Sequence, residues 1–209
     1  MRKAPAFNKG RYSKNGSISK QESECIRLKT ALRKEFLDEF YKDEGELFQP
    51  YYGHGILQKT VYDEYTFTRN HKCDKVIKEE GVYHGDCERY IEQTELSNVA
   101  VADFDHHGLP TESIALFFKM HAPEKCILFA TYGLKVFQFR PVIFEKTITY
   151  KCDKQKKIKT SYSMRTKPIR FIEDVLKEHS YTIDKSKTLQ YGSLVIYYAA
   201  RIRKSNNPC

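Results

Sequence analysis

No run of about 18 apolar residues occurs anywhere in the 209-residue chain, which excludes a transmembrane helix. The opening Met-Arg-Lys-Ala-Pro-Ala-Phe-Asn-Lys-Gly lacks the apolar stretch of a secretory leader, so a cytoplasmic setting is expected. Cysteine is sparse. Cys25, Cys73, Cys87, Cys126, Cys152 and Cys209 include no C-x-x-C pair, and free thiols in a reducing compartment are expected rather than a disulfide framework. Tryptophan is absent, yet 15 Tyr and 13 Phe bring the aromatic share to 13%, too rich for wholesale disorder. No internal repeat is visible.

What is abundant is positive charge, 36 Lys+Arg against 27 Asp+Glu, and it is segregated. Residues 1–34 hold ten basic residues against Glu22 and Glu24, and residues 151–170 hold eight against Asp153. Those segments carry +8 and +7 of a net +9, so the remainder is acidic. Such segregation is the footprint of a polyanion-binding surface, and nucleic acid, DNA or RNA, is the expected partner. A solvated tail and loop give the same count. The expected organisation is a flexible basic arm at 1–22, a domain at 23–205, and a basic insertion at about 151–167.

From Ser23 to Tyr41, Ile26, Leu28, Leu32, Phe36, Leu37 and Phe40 recur at helical spacing. Leu47-Phe48 leads through Pro50-Tyr51-Tyr52-Gly53-His54-Gly55 into a helical pattern at Ile56, Leu57, Val61 and Tyr62, which predicts strand, glycine turn and helix. Further strands are predicted at 67–74, 81–86, 99–105 and 126–133, with helices at 88–94, 111–121 and 168–179. The run Val99-Ala-Val-Ala-Asp-Phe-Asp105 is apolar on both faces up to its acids, as in a buried parallel strand. Residues 181–189 and 192–203 alternate about a turn at Tyr191-Gly192, the pattern of an antiparallel hairpin. Alternating strands and helices predict an α/β fold, a mostly parallel sheet with helices on both faces.

In such a sheet ligands sit beyond the C-terminal strand ends. Collected there are Gln49, Tyr51, Gly53, Gly55, Asp74, Asp86, Asp103, Asp105, His106, His107, Thr131 and Gly133. Glycines let backbone approach a ligand closely, and a carboxylate ending the second strand suits ribose hydroxyls.

The order of these features resembles the class I S-adenosylmethionine-dependent methyltransferases. Leu47-Phe-Gln-Pro-Tyr-Tyr-Gly-His-Gly55 resembles their first strand and glycine loop, His71-Lys-Cys-Asp-Lys75 their second strand end, and His84-Gly-Asp86 their third. Asp103-Phe-Asp-His-His-Gly-Leu-Pro110 is similar to the D-x-D-P-x-G-x-P form of tRNA guanine-N2 methyltransferases and some phage-borne relatives. Thr131-Tyr-Gly133 and the terminal hairpin match as well. The resemblance spans about 23–203 and implies a seven-stranded Rossmann-like sheet whose last strand is antiparallel. It implies S-adenosylmethionine as cofactor, held by Gln49, Pro50, Tyr51, Gly53, Gly55, Asp74, Asp86, Cys87 and Asp103. Methyl transfer to a nucleic-acid base amine is then expected. Asp103 and Asp105 would orient the amine, His106 or His107 would accept its proton, and Tyr132, Lys156, Lys157 and Lys159 would contact substrate. Two departures stand out: Gln49 where the family has an acid, and His106 where it has proline.

Other functions fit parts of the pattern. A non-catalytic nucleic-acid- or partner-binding module on the same fold accounts for the departures. The same-side pair Asp103 and Asp105, with Phe129-Ala-Thr-Tyr and Phe139-Arg-Pro-Val-Ile, resembles archaeo-eukaryotic-type primases, which hold divalent metal on such carboxylates. His71, Cys73, His84 and Cys87 have zinc-compatible chemistry but an awkward H-x-C bite, and no metal is expected.

Overall fold

The computed structural model describes residues 20–42, 44–106, 108, 110–133, 142–149, 155–162, 168–191 and 195–205. Of the flexible arm expected at 1–22, residues 1–19 lie outside them, and 20–22 are helical instead. Helix α1 (Lys20–Phe40) precedes strand β1 (Glu46–Gln49) and a five-residue helix α2 (Ile56–Thr60), followed by a 3-10 turn at Tyr62–Glu64. Then come β2 (Arg69–Asp74), β3 (Tyr83–His84), α3 (Cys87–Gln93), β4 (Val99–Phe104), α4 (Thr111–Met120) and β5 (Lys125–Gly133). After β6 (Val142–Thr149) and β7 (Gln155–Tyr162) come α5 (Pro168–Glu178), β8 (Tyr181–Tyr191) and β9 (Val195–Lys204).

Seven strands form one sheet in the order β3-β2-β1-β4-β5-β9-β8. The pairings from β3 through β5 are parallel, whereas β9 runs antiparallel to both β5 and β8. The mostly parallel sheet with a C-terminal antiparallel hairpin is therefore as expected. Of the basic insertion expected at about 151–167, residues 155–162 form β7, which pairs with β6, ahead of the insertion, in a separate two-stranded ribbon. The strand signal in Val142-Ile-Phe-Glu-Lys-Thr-Ile-Thr149 is its richness in β-branched residues. No helix among the described residues is long and apolar enough to cross a membrane.

The sheet separates two apolar cores. On one face Phe48, Ala102, Phe104, Leu128 and Ala130 pack against Ile91, Ile114, Phe117, Ile172 and Leu176 from α3, α4 and α5. On the other, Leu47, Val101, Ile127, Phe129 and Tyr197 meet Leu32, Phe36 and Leu37 of α1. Alternation along β4 therefore sends Asp103 toward α1 and Phe104 the other way. Two surface pairs, Lys185–Glu39 at 2.5 Å and Lys187–Glu35 at 2.6 Å, tie α1 to β8.

Candidate active site

The register brings Gln49, Asp105 and Thr131 to the C-terminal rim of adjacent strands β1, β4 and β5. Below this rim lies a buried charge cluster. Arg33 is 1% exposed and grips Asp103 with two bonds, Nε to Oδ2 at 2.8 Å and Nη2 to Oδ1 at 2.6 Å. The Tyr62 hydroxyl donates to the same carboxylate at 2.6 Å. Burial alone would lower the basicity of Arg33, but the adjoining Asp103 carboxylate reverses this and raises it. Asp103 was expected to contact cofactor and acceptor. Its carboxylate is instead 2% exposed and spent on Arg33 and Tyr62, which makes it the anchor of α1.

Asp105, one pleat further along, reaches the rim. The Lys29 ammonium lies 2.6 Å from Oδ1 and hydrogen-bonds Oδ2 at 2.8 Å, while Arg33 lies 3.8 Å away. Burial works against ionisation, but the Lys29 and Arg33 charges, with the Thr131 hydroxyl nearby, hold its carboxyl well below the usual range. The buried hydroxyls of Thr131 and Tyr197 lie beside Asp105 and Cys25 without completing hydrogen bonds, and Gln49 Oε1 has no partner. Lys29 and Arg33 were not foreseen. The signal was in the sequence: two cations spaced four apart on the same helical stripe as Phe36 and Phe40.

The His106 ring sits 4.2 Å from that of Tyr51, and its Nδ1 accepts the Gly108 N–H at 3.0 Å. Neutral His106 therefore carries its proton on Nε2, so the expected role as proton acceptor is corrected. His107 lies outside the described residues. Tyr132, expected to stack on a base, is fully buried beside Tyr198 and presents no face to a substrate. Lys156, Lys157 and Lys159 fall on β7, but their side chains are not among those described.

Around the first strand end, Pro50 opens the loop and Gly53 and Gly55 adopt φ of 60° and 66°. Space around them differs. A Cβ on Gly53 would meet nothing within 4 Å, whereas one on Gly55 would lie 2.6 Å from the Tyr52 hydroxyl. Gly55, expected to border the cofactor, thus accommodates Tyr52 instead of a ligand. The helix it introduces, α2, is also only five residues long. Asp74 holds the loop: Oδ2 accepts from Gly53 N at 2.9 Å, and Oδ1 accepts from Val76 N at 2.7 Å and Ile77 N at 3.0 Å. Burial would raise its pKa, but these three donors lower it.

Asp86 caps α3 through Glu88 N at 3.2 Å and pairs with Lys75 at 3.1 Å. Hydrogen bonding from Glu88 and Lys75 lowers its carboxyl to about 2, while burial and the same Asp86 contact raise Glu88. Ser113 donates to Glu88, so the Tyr51 hydroxyl donates to Ser113, and this relay joins the loop to α3 and α4. Cys87 is 5% exposed within the same core, and burial raises its thiol far above the usual range. His71 is held between Glu46 at 2.8 Å and Tyr90 at 3.0 Å, and among the described residues no group of three metal-binding side chains assembles.

Compared by sequence, the chain matches no protein-family model and no curated protein. Solved structures do match. An S-adenosylmethionine-dependent methyltransferase from Clostridium acetobutylicum superposes with a TM-score of 0.51 at 9% identity, over 87% of this chain and 92% of that one. M. jannaschii TYW2, solved in complex with AdoMet, gives 0.50 at 8% identity over 90% and 78%. The fold is the Rossmann-like methyltransferase fold. A Streptococcus thermophilus protein designated a hemolysin shares it, with a TM-score of 0.52 at 12% identity over 87% and 67%. A methyltransferase fold can carry more than one function, so residues rather than topology must decide.

The site's carboxylates make a prediction about acid. Asp74 and Asp105 both titrate lower when folded than when unfolded. Their stabilisation is complete above the ordinary carboxylate value of about 4 and is lost as pH falls toward the folded values. Urea midpoints measured from pH 5 down to 2.5 should fall, and Asp74→Asn should flatten the decline.

Proposed function

We propose that the chain transfers a methyl group from S-adenosylmethionine to an exocyclic amine of a nucleic-acid base. The observation that carries this is the charge-balanced ring of acceptors around Asp105. Lys29 and Arg33 already offset Asp103 and Asp105, so a buried ammonium arriving here would be an unmatched charge costing several kcal/mol. A neutral amine brings two N–H donors and no charge, which suits Asp105 and the incompletely bonded Thr131 and Tyr197 hydroxyls. The basic segments at 1–34 and 151–170 favour a polyanionic carrier of that amine.

The residues present fit the cofactor. Open space over Gly53, the adjoining Asp74 carboxylate and the orphaned Gln49 Oε1 would hold it at the end of β1. When bound, it supplies an electrophilic methyl group. Asp105 would accept one N–H of the acceptor amine and fix the direction of its lone pair. Held ionised by Lys29, it would stay an acceptor toward that nitrogen and keep the Lys29 charge from facing it unbalanced. Placement of this kind supplies up to about 7–11 kcal/mol in favourable cases.

Calorimetric titration with S-adenosylmethionine and S-adenosylhomocysteine should show saturable binding. Labelled methyl should then enter RNA or DNA and resist EDTA. The primase-like alternative requires metal-dependent nucleotide transfer, although its two carboxylates are already neutralised by Arg33 and Lys29. The filled space over Gly55 favours a second reading, a non-catalytic binding module. A flat cofactor titration with salt-sensitive nucleic-acid binding would establish that one and overturn ours.

A further inference from the structure

A free carboxylate offers about four lone-pair positions, two on each oxygen, and so can take both hydroxyls of a ribose diol. Asp74 does not have four to offer. Oδ1 is filled by the Val76 and Ile77 amides, and one position on Oδ2 is filled by the Gly53 amide. One acceptor position remains, on the oxygen that adjoins Gly53, where a Cβ would meet nothing within 4 Å. These three amides fix the carboxylate from both sides, so rotating it to free Oδ1 would strand main-chain donors of the loop and of the following turn. Resting on the methyltransferase reading above, we infer that this chain binds its nucleoside cofactor through only one of the two ribose hydroxyls, with Asp74 as the acceptor.

Specificity follows from this arithmetic. A hydroxyl bonded to a charged acceptor contributes affinity that its deletion removes, by about tenfold or more. The other hydroxyl meets no acceptor on Asp74, so its deletion should change affinity by less than about twofold. A doubly hydrogen-bonded diol predicts comparable losses for both.

The test is calorimetry on the full chain with S-adenosylhomocysteine and its 2′-deoxy and 3′-deoxy analogues. Support is a tenfold or greater loss for one analogue with the other matching the parent. Comparable losses for both, or none for either, overturn the inference while leaving the cofactor assignment standing. Absence of binding by S-adenosylhomocysteine itself overturns both. In Asp74→Asn the gap between the two analogues should close, and its persistence in a folded variant would overturn the role given to Asp74. Should that variant fail to fold, the analogue series on the unaltered chain decides the matter.

Discussion

Arg33→Met should lower unfolding free energy by about 3–5 kcal/mol. The replacement removes the guanidinium but not Asp103, whose carboxylate is 2% exposed and would retain only the Tyr62 hydroxyl. An uncompensated buried charge is far costlier than a missing ion pair, so Arg33→Met/Asp103→Leu should recover most of the loss. Urea denaturation of the two variants measures this. A loss below about 1 kcal/mol for the single variant would show that the cluster is hydrated rather than sealed.

Asp105→Asn should reduce methyl incorporation by about 10²–10³-fold while S-adenosylhomocysteine affinity stays within a few-fold of the unaltered chain. The asparagine preserves the shape of the side chain and can still accept one hydrogen bond. It removes the negative charge that balances Lys29, leaving an excess positive charge beside the acceptor nitrogen as the cation forms there. The combination of a falling rate with constant cofactor affinity separates a role at the acceptor from a role in holding the cofactor. Equal losses in both would move Asp105 to the cofactor side of the site.

Much of the fold was legible because its strands read simply. Val99–Ala102 and Cys126–Ala130 are apolar runs lying almost wholly in the core, and the β8–β9 hairpin is announced by its alternation. The glycine loop and the strand-end acids Asp74, Asp86 and Asp105 were also located, since their sequence positions mark where strands stop. Partners were not legible. Pairing Arg33 with Asp103 spans 70 residues, and no local pattern ties a helix cation to a distant strand. For the same reason Asp103 and Asp105 looked equivalent in sequence, although a difference of one pleat seals the first and leaves the second at the rim. Tyr132 illustrates the converse: an aromatic at a strand end reads alike whether it faces a ligand or the core, and here the core claims it.

The insertion of β9 between β5 and β8 has a consequence for how the molecule is made. Until residues 195–204 have left the ribosome, the long hydrophobic margin of β5 has no neighbour, and β8 has nothing to join. Closure of the sheet must therefore wait for residues 195–204. During that interval the nascent polypeptide presents a sticky ledge suited to capture by chaperones.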